Sequence, residues 1–234
     1  MKTMTKVLAS AMLICATMFF AGNEKEEDMQ PILGVDNWVD LGLPSGLLWA
    51  TCNVGANSPE DYGDYFAWGE TQPQPKGVYE WSTYRYCNGG YGQLTKYCNY
   101  SAYGYNGFTD DLTTLQPDDD AATANWGDGA RTPTKAEWQE LINHTTAQWT
   151  TCNGVNGRLL SASNGNSLFL PAAGGRWFSS LNVAGSYGYY WSSSLSTDNP
   201  NCAWKFDFAL CGQVVVIYDR RIDGYPVRAV CSAR

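Results

Sequence analysis

The chain has 234 residues, enough for one large or two small domains with a real hydrophobic core. Aromatic residues make up 14% and charged residues only 16%, and Gly is abundant, a mixture typical of turn-rich β structure and not of helical bundles. The formal net charge is −8 and there is no basic cluster, which argues against nucleic-acid binding because an acidic surface repels phosphates. We therefore expect a protein or a glycan as the partner.

The segment 1–22 has the three parts of a secretory signal. Lys2 and Lys6 form the basic start, an apolar run follows, and Ala21 and Gly22 are the small residues of a cleavage site. The run is too short for a membrane span, and a buried N-terminal helix is the alternative. We predict export to the cell surface or the extracellular space, with no transmembrane span after signal removal.

Residues 23–37 form an acidic tether similar to those that follow the anchor in bacterial surface lipoproteins. Asn23 stands where a lipid-bearing cysteine would be required, so lipid anchoring stays open. Beyond the tether, no Pro/Ser-rich or charge-rich break interrupts the chain. The sequence thus predicts a signal peptide at 1–22, the tether at 23–37 and a single, monomeric ligand-binding domain at 38–234.

Cysteine usage fits an exported protein. Of the eight cysteines, Cys15 leaves with the signal, and export permits disulfides among the others. Cys87 and Cys98 flank a turn-rich stretch and are the candidate pair. The odd number left means that at least one thiol stays free or pairs between chains. A zinc site is disfavoured because no C-x-x-C occurs and His144 is the only histidine; we expect no cofactor.

The first predicted elements are two short strands within 38–56, joined by a turn at 42–46. The aromatic stretch 62–70 predicts a strand edge. Residues 71–117 are rich in Pro, Gly, Asn and Tyr and predict long irregular loops. Such loops are uncommon in compact domains and are often functional.

Two helices are predicted next. Asp118 or Asp119 is the expected N-cap of the first helix and Gly127 its end. Thr134, with Glu137 three residues later, predicts a capping box at the start of the second. Spacings of three and four place the apolar residues of that helix on one face: Trp138, Leu141 and Ile142. Two short helices in a β-rich chain predict an α+β domain.

Beyond residue 159 the apolar pattern has a period of two, as in strands with one buried face. In 203–210 the predicted inward residues are Trp204, Phe206 and Phe208, and the outward residues are Lys205 and Asp207. In 212–220 the predicted inward residues are Val214, Val216 and Tyr218, and the outward ones are Gln213, Val215, Ile217 and Asp219. A last strand is predicted over 225–231, where Val227 and Ala229 alternate with Arg228 and Val230.

Five stretches occur in order along the chain: DLGLPSGLLWATCNVGA, YGDYFAWGE, RTPTKAEWQELI, GYYWSSS and YPVRAV. Together, from about Trp38 to Cys231, they resemble the Fibrobacter succinogenes major paralogous domain of exported proteins from gut Bacteroidetes. The central block, with Arg131, Pro133 and Trp138, is also similar to the formylglycine-generating-enzyme branch of the C-type-lectin fold. This resemblance implies a C-type-lectin-like fold with two short helices packed on twisted antiparallel sheets, chain ends close together, and one face made from the C-terminal half.

The stretch from LPAAGGRWFSS to VRAVC resembles the variable region of proteins diversified by retroelements, in which template adenines are copied with random bases. Asn codons of the AAC type then yield Asn, Asp, Ser, Tyr, Cys, Ile, Val, Leu and Arg, among others, but not Trp, Lys or Gln. Trp177, Lys205 and Gln213 fall outside that permitted set. The positions that belong to it are Asn182, Asn199, Asn201, Cys202, Asp207, Cys211, Val215, Ile217, Asp219, Arg220 and Ile222.

We predict that outward residues of two strands and the adjoining loops form one recognition surface for an unknown protein or glycan. Tyr and Trp supply rigid amphipathic area, and Asn and Ser supply adaptable hydrogen bonds, as in antibody paratopes. Exposed aliphatic residues on a strand are hard to explain otherwise. The alternative is that the aromatic residues only fill a core. The candidate ligand-binding residues are Trp177, Phe178, Asn182, Tyr187, Tyr189, Asn199, Asn201, Lys205, Asp207, Val215, Ile217, Asp219, Arg220 and Ile222.

Other functions compete with binding by a lone domain. A subunit or tip adhesin of a surface assembly is compatible with such a face. An enzyme of the formylglycine-generating type would need a close pair of reactive cysteines, whereas Cys202 and Cys211 are nine residues apart. With His144 as the only histidine, no Ser/His/Asp triad is available. We therefore expect no catalytic residues.

Two further groups of charged residues have structural interpretations. The run Asp118–Asp120 has the oxygen ligands that calcium prefers, but helix capping accounts for it, and no E-P-N or Q-P-D tripeptide of sugar-binding C-type lectins occurs. We expect no metal. Arg176, Arg221 and Arg228 are interpreted as buried residues that tie loops together through several hydrogen bonds.

Overall fold

The computed structural model describes residues 37–127, 129–212 and 214–233. The predicted signal peptide and the tether up to residue 36, with Cys15 and Asn23, lie outside the described residues. The described chain has a mixed α/β fold with few helices and several antiparallel sheets. The predicted α+β composition is confirmed at this level.

The described elements follow one another in a clear order. Two short strands come first: β1 (Trp38–Asp40) and β2 (Leu47–Ala50). The helices are α1 (Ala121–Trp126) and α2 (Lys135–His144). The next strands are β3 (Thr145–Cys152), β4 (Val155–Ala162), β5 (Ser167–Pro171), β6 (Gly175–Trp177) and β7 (Ser180–Asn182). The last are β8 (Tyr187–Leu195), β9 (Cys202–Ala209), β10 (Val215–Arg220) and β11 (Val230–Ser232).

The strands form four antiparallel sheets, in the orders β1-β2-β11, β8-β9-β10, β3-β4-β5 and β6-β7. In the first sheet β2 lies between the first and the last described strands. Trp38 pairs with Ala50 on one side of β2, and Val230 pairs with Trp49 on the other. Both ends of the described chain are therefore held in one sheet.

The first helix starts one residue later than the sequence suggested. Asp120 is the N-cap, and its carboxylate accepts hydrogen bonds from the backbone N–H of Ala122 (2.9 Å) and Thr123 (3.4 Å). Asp118 and Asp119 lie in the preceding 3-10 turn. The prediction of either as N-cap is wrong because that turn places Asp120 at the helix start, where it satisfies orphan backbone donors.

The second helix begins as predicted. The Thr134 hydroxyl accepts from the Glu137 N–H, and the Glu137 carboxylate accepts from the Thr134 N–H (2.7 Å). Trp138 and Leu141 are fully buried, and Ile142 packs against the same core. Trp138 stacks on Phe206 of β9 with ring centroids 4.5 Å apart, so this helix covers one side of the β8-β9-β10 sheet. Burying an aromatic side chain of this size contributes about 2–3 kcal/mol.

Two strand predictions are corrected. The stretch 62–70 makes only an isolated bridge, between Phe66 and Tyr225. The last strand is shorter than expected, and Val227, Arg228 and Val230 are all buried, so this segment has no outward face. Here the period-two pattern fails because the segment is enclosed on both sides.

Long irregular loops occupy 71–117, as predicted. Arg221 ties them to the C-terminal half of the chain. Its fully buried guanidinium donates to the Tyr84 hydroxyl (2.9 Å) and to the carbonyl oxygens of Lys96 (3.1 Å), Tyr97 (2.9 Å) and Pro200 (3.0 Å). This arginine therefore has the architectural position inferred from the sequence.

Arg228 is also fully buried. It donates to the Asn53 side chain (2.8 Å) and to the Ala50 carbonyl (3.0 Å). Arg176 is half-buried, with its guanidinium carbon 5.0 Å from the centroid of the Tyr65 ring. Each of the three arginines thus joins segments that are distant in sequence.

The predicted Cys87–Cys98 disulfide is not formed. The Cys87 thiol donates to the Trp81 carbonyl (2.9 Å), and the Cys98 thiol donates to the Tyr100 carbonyl (3.3 Å). Burial raises the pKa of both thiols. The turn between these cysteines is held by backbone hydrogen bonds, such as Asn88 N–H to the Gln93 carbonyl (2.7 Å), and not by a covalent bridge.

Candidate binding surface

Strand pairing brings the predicted residues of β8, β9 and β10 onto one side of their sheet, except Arg220, which pairs with Cys202 on the other side. Tyr189, Asp207 and Val215 form one row across the strands, and Lys205 pairs with Ile217 in the next row. Residues directly opposite each other in antiparallel strands share a face. We call this side, together with residues 177–178 beside it, the C-terminal face. It is the side of the sheet that α2 does not cover.

The apolar part of the C-terminal face meets solvent. Phe178 is 60% exposed, Ile217 45%, and Tyr187 and Val215 40% each. Contiguous apolar side chains that meet solvent are typical of interaction sites, and these four lie on neighbouring segments. Phe178 also has a positive φ of 51°, a conformation rare for bulky residues, and its backbone pairs with Tyr79. Such strained backbone is concentrated at functional positions.

Lys205 is not available to a ligand, contrary to the sequence prediction. It is 3% exposed, and its Nζ lies 2.7 Å from Asp207 Oδ2 and 3.7 Å from Asp219 Oδ2. The same Nζ lies 3.9 Å from the centroid of the Tyr189 ring. Because β9 is the central strand of its sheet, neighbours on both sides cover the side chain. Lys205 points toward the predicted face but acts there as a fixed counter-ion.

Aromatic rings underlie the same region. Tyr225 is fully buried, with its ring centroid 4.6 Å from that of Trp191 and 5.2 Å from that of Tyr189. Trp177 packs edge-on against Tyr189 at 5.9 Å, and Tyr187 stacks on Tyr189 at 5.8 Å. Tyr187 and Tyr189 therefore belong to a packed aromatic cluster, which leaves their rings little conformational freedom.

A second ion pair borders the face. Arg220 Nη2 lies 3.0 Å from Asp223 Oδ1, and Asp223 is fully buried. Burial raises the pKa of Asp223 to about 7, Asp219 adds to the rise, and Arg220 together with a hydrogen bond from Trp177 opposes it. The Tyr225 hydroxyl donates to Asp219 Oδ2 (2.9 Å). Burial raises the pKa of Tyr225 well above its usual range, with Asp223 and Asp219 as further causes.

Two other predicted site residues are buried. Asn201 is 0% exposed, and its side-chain carbonyl accepts from Gly92 N–H at 3.3 Å. Ile222 is 4% exposed and packs in a core cluster with Tyr79 and Tyr84. Both are wrong as ligand contacts, because the chain turns inward after β10 and before β9, where the loops of 71–117 cover it.

The predicted residues thus divide by exposure. The exposed ones are Phe178, Tyr187, Val215, Ile217 and Arg220. The half-buried ones are Trp177, Asn182, Tyr189, Asn199, Asp207 and Asp219. Asn199 lies in the turn between β8 and β9 and Asn182 at the end of β7, so these two are outside the rows that form the C-terminal face.

Sequence patterns missed several exposed apolar residues. Tyr218, predicted to point inward, is 46% exposed and packs edge-on against half-buried Trp204 on the side of the sheet opposite to the C-terminal face. Leu181, Val183 and Leu210 are 41%, 42% and 55% exposed. Val183 has a positive φ of 51°, which a strand-based pattern does not anticipate.

The two cysteines considered for the enzyme alternative are not close together in the structure. Cys202 begins β9 and Cys211 follows its end. An eight-residue strand spans about 23 Å, so the two thiols lie at opposite ends of it. Burial raises the pKa of Cys202 to about 11, which disfavours the reactive thiolate.

A cleft of ≈ 180 Å³ opens at the starts of the two helices. Asp120, Thr132, Thr134 and Ser193 are among its lining residues. The Asp120 carboxylate already accepts four backbone or hydroxyl hydrogen bonds from Ala122, Thr123 and Thr132 nearby, and burial raises its pKa. The cleft contains none of the predicted ligand-binding residues.

Asp118–Asp120 do not form a calcium site within the described residues. The Asp119 carboxylate accepts from the hydroxyls of Tyr86 (2.5 Å) and Tyr97 (2.6 Å) and is paired with Lys96. Throughout 37–127, 129–212 and 214–233, no group of three or more His, Cys, Asp or Glu side chains is placed to hold a metal ion.

Comparisons with known proteins gave no match: no family model, no curated protein and no solved structure is similar to this chain. No helix among the described residues is long and apolar enough to cross a membrane. The geometry of the C-terminal face is therefore the main observation that bears on function.

Proposed function

We propose that this is an exported binding protein that captures a macromolecular ligand on its C-terminal face and carries out no chemistry. The supporting observation is the exposed set Phe178, Tyr187, Val215 and Ile217; Tyr187 stacks on Tyr189, and Val215 and Ile217 pair with Asp207 and Lys205. An apolar centre with a charged rim is the usual anatomy of a protein interface. A protein partner is therefore the ligand class that this face fits best.

The scaffold we infer is C-type-lectin-like. Three features support it: β2 holds the two described chain ends in one sheet, two short helices are present, and the capping box at Thr134 begins the helix within the similar central block of Arg131, Pro133 and Trp138. In this scaffold the ligand face comes from the C-terminal half, which is where the exposed patch lies.

We further infer that part of the C-terminal face is the region diversified by a retroelement. Asp207, Val215 and Ile217 are all residues that randomised Asn codons can encode, and all lie on the face. Lys205, which such codons cannot encode, is buried as a counter-ion. Trp177, also outside the permitted set, packs edge-on against Tyr189 and Tyr225. Structural roles therefore account for the presence of Lys205 and Trp177, two residues that randomised Asn codons cannot encode.

Burial also narrows the positions that could vary. Asn201 and Ile222 belong to the permitted set but are enclosed by other segments. Substitution at either would disturb packing, so we exclude both from the varying positions. A neighbouring reverse-transcriptase gene with a near-identical, adenine-rich repeat of the 207–219 coding region is the expected genomic signature.

Site-specific photocrosslinking tests the binding proposal. A photoreactive phenylalanine analogue replaces Ile217 in one variant and Gln139 in a control; Gln139 is exposed on α2, behind the sheet. With intact gut bacterial and epithelial cells as probes, we expect discrete protein adducts from position 217 and few from position 139. Equal labelling at the two positions, or none at 217, would show that the C-terminal face is not the binding surface.

A further inference from the structure

We propose that the loops of 71–117 carry a second binding site, for a neutral glycan, on a row of aromatic rings. The row, here called the aromatic ladder, consists of Trp81, Tyr91, Tyr103 and Tyr100. It shares no residue with the C-terminal face. The proposal extends the binding function to a second surface with a different ligand chemistry.

The rings of the aromatic ladder touch one another in sequence. Centroid distances are 5.7 Å from Trp81 to Tyr91, 6.4 Å from Tyr91 to Tyr103, and 5.7 Å from Tyr103 to Tyr100. Interplanar angles of 86°, 78° and 60° make each contact edge-to-face. Tyr91 is 62% exposed and Tyr100 57%, so much of each ring surface faces solvent.

Backbone contacts hold the aromatic ladder in place before any ligand binds. Leu94 is fully buried beneath it, and its N–H donates to the Tyr103 carbonyl (2.9 Å) while its carbonyl accepts from Tyr105 N–H (2.8 Å). Gly104, between these residues, lies so close to the Phe108 backbone that a Cβ would collide with it. The loop is therefore ordered by packing, and its rings are presented at fixed spacing.

Three of the four rings of the aromatic ladder lie in a stretch with a single charged residue, whereas Trp81 directly follows Glu80. Residues 86–109 contain one charged side chain, Lys96, and it is paired with Asp119. Asn88, Asn99 and Ser101 are exposed beside the rings. Amides and hydroxyls of this kind exchange hydrogen bonds with sugar hydroxyls. The C–H face of a sugar ring carries partial positive charge, which the negative face of an aromatic ring attracts.

The same stretch has only part of the composition of a protein interface. Its large exposed apolar residues are all aromatic: Tyr91, Tyr100, Tyr105 and Phe108. Leu94 is its only Leu, Ile, Val or Met residue, and it is buried. Protein interfaces are enriched in Met and Arg as well as in aromatic residues, and residues 86–109 contain neither Met nor Arg. A neutral glycan matches the exposed chemistry better than a protein or an acidic polymer does.

Affinity electrophoresis tests the second site. The probes are neutral polysaccharides (mixed-linkage β-glucan, arabinoxylan, galactomannan, yeast mannan and amylopectin), with polygalacturonate as the acidic control. We expect at least one neutral polymer to retard the protein and polygalacturonate not to. Retardation by none of the five neutral polymers would overturn the proposal.

Variants then locate the site. We expect Y91A/Y100A to weaken binding to the retarding polymer at least tenfold, and Tyr91→Phe, which keeps the ring, to retain it. Tyr187→Ala is the matched control, because it removes an exposed tyrosine from the C-terminal face, and it should leave glycan binding unchanged. Equal losses in the control and the double variant, or no loss in the double variant, would also overturn the proposal. Melting curves verify that each variant is folded.

The outcome is separable from that of the first proposal. Photocrosslinking at position 217 reports only on the C-terminal face, whereas gel retardation by the neutral polymers and its loss in Y91A/Y100A report only on the aromatic ladder. Either proposal can fail while the other stands.

Discussion

The C-terminal face stands on hydrogen-bonded strands, whereas the aromatic ladder stands on loops whose positions depend on remote contacts. In the first region, register alone decides which side chains share a surface. In the second, Arg221 connects the loops to the end of β10 through three hydrogen bonds, to Tyr84, Lys96 and Tyr97. One domain can thus present two surfaces that are held in place by different interactions, strand pairing in one and long-range side-chain contacts in the other. Substitutions can disrupt each set of interactions separately.

Removing Arg221 should have the largest effect. Arg221→Met leaves the Tyr84 hydroxyl and three buried carbonyls without their donor, which we expect to cost about 4 kcal/mol of unfolding free energy, at roughly 1 kcal/mol for each lost bond. Urea denaturation measures the loss. Hydrogen exchange should show greater exposure of residues 80–109 than of β8 to β10. Arg85→Met, at an exposed position in the same loops, should cost less than about 0.5 kcal/mol.

Substituting Lys205 tests the other region. Lys205→Met leaves Asp207 and Asp219 close together without a cation, and we expect a loss of about 3 kcal/mol at pH 7. Adding Asp207→Asn should restore part of that loss, because it removes one of the repelling charges. Chemical denaturation of the two single variants and the double variant gives the coupling. Additive losses would mean that the lysine does not act as the counter-ion.

The pH dependence of stability should report on Asp223. Its pKa is about 7 in the folded protein, against about 3.9 in an unfolded chain. The folded state therefore binds more protons between these values, and this contribution to stability is full below about pH 4 and is lost as the pH rises through 7. Relative to wild type, Asp223→Asn should gain about 2 kcal/mol between pH 5 and pH 8. Thermal denaturation across this range measures the difference, and parallel profiles for the two proteins would contradict the assignment.

The smallest expected effect on stability is at the exposed apolar patch. Ile217→Ser should change the unfolding free energy by no more than about 0.5 kcal/mol, since the side chain already meets water. Val216→Ser, one residue away but packed against the core beneath the sheet, should cost about 1–2 kcal/mol. The urea midpoints of the two variants measure the difference between their losses of stability. A larger loss at 217 than at 216 would reverse the assignment of the two faces.

Local patterns in the sequence accounted for much of the scaffold. The capping box at Thr134, the end of α1 at Gly127 and the buried positions of Phe206 and Phe208 follow from short-range rules that hold in any context. Exposure of Val215 and Ile217 followed from alternation along β10. These features depend on residues near one another in the chain, so one sequence suffices to predict them.

The remaining features depend on long-range contacts. Burial of Lys205 requires Asp219 from the next strand, and burial of Asn201 requires Gly92, more than one hundred residues earlier. The aromatic ladder likewise depends on the backbone pairing between Leu94 and Gly104. The composition of residues 71–117 predicted loops of functional interest, but it could not predict how the aromatic rings of these loops are arranged. The alternation of residues along a strand predicts the side to which a side chain points, but it does not predict which other segments cover that side chain.

The arrangement of β1 and β11 on either side of β2 has a mechanical consequence. Trp38 leaves the sheet beside Ala50, whereas Ser232 leaves beside Leu47, at the other end of the same strand. Tension applied between the two ends would pull β1 and β11 along β2 in opposite directions. The hydrogen bonds of both strand pairs would then resist together and would not open one after another. A domain held in this way should withstand pulling, as in a flowing medium, better than its short strands alone would suggest.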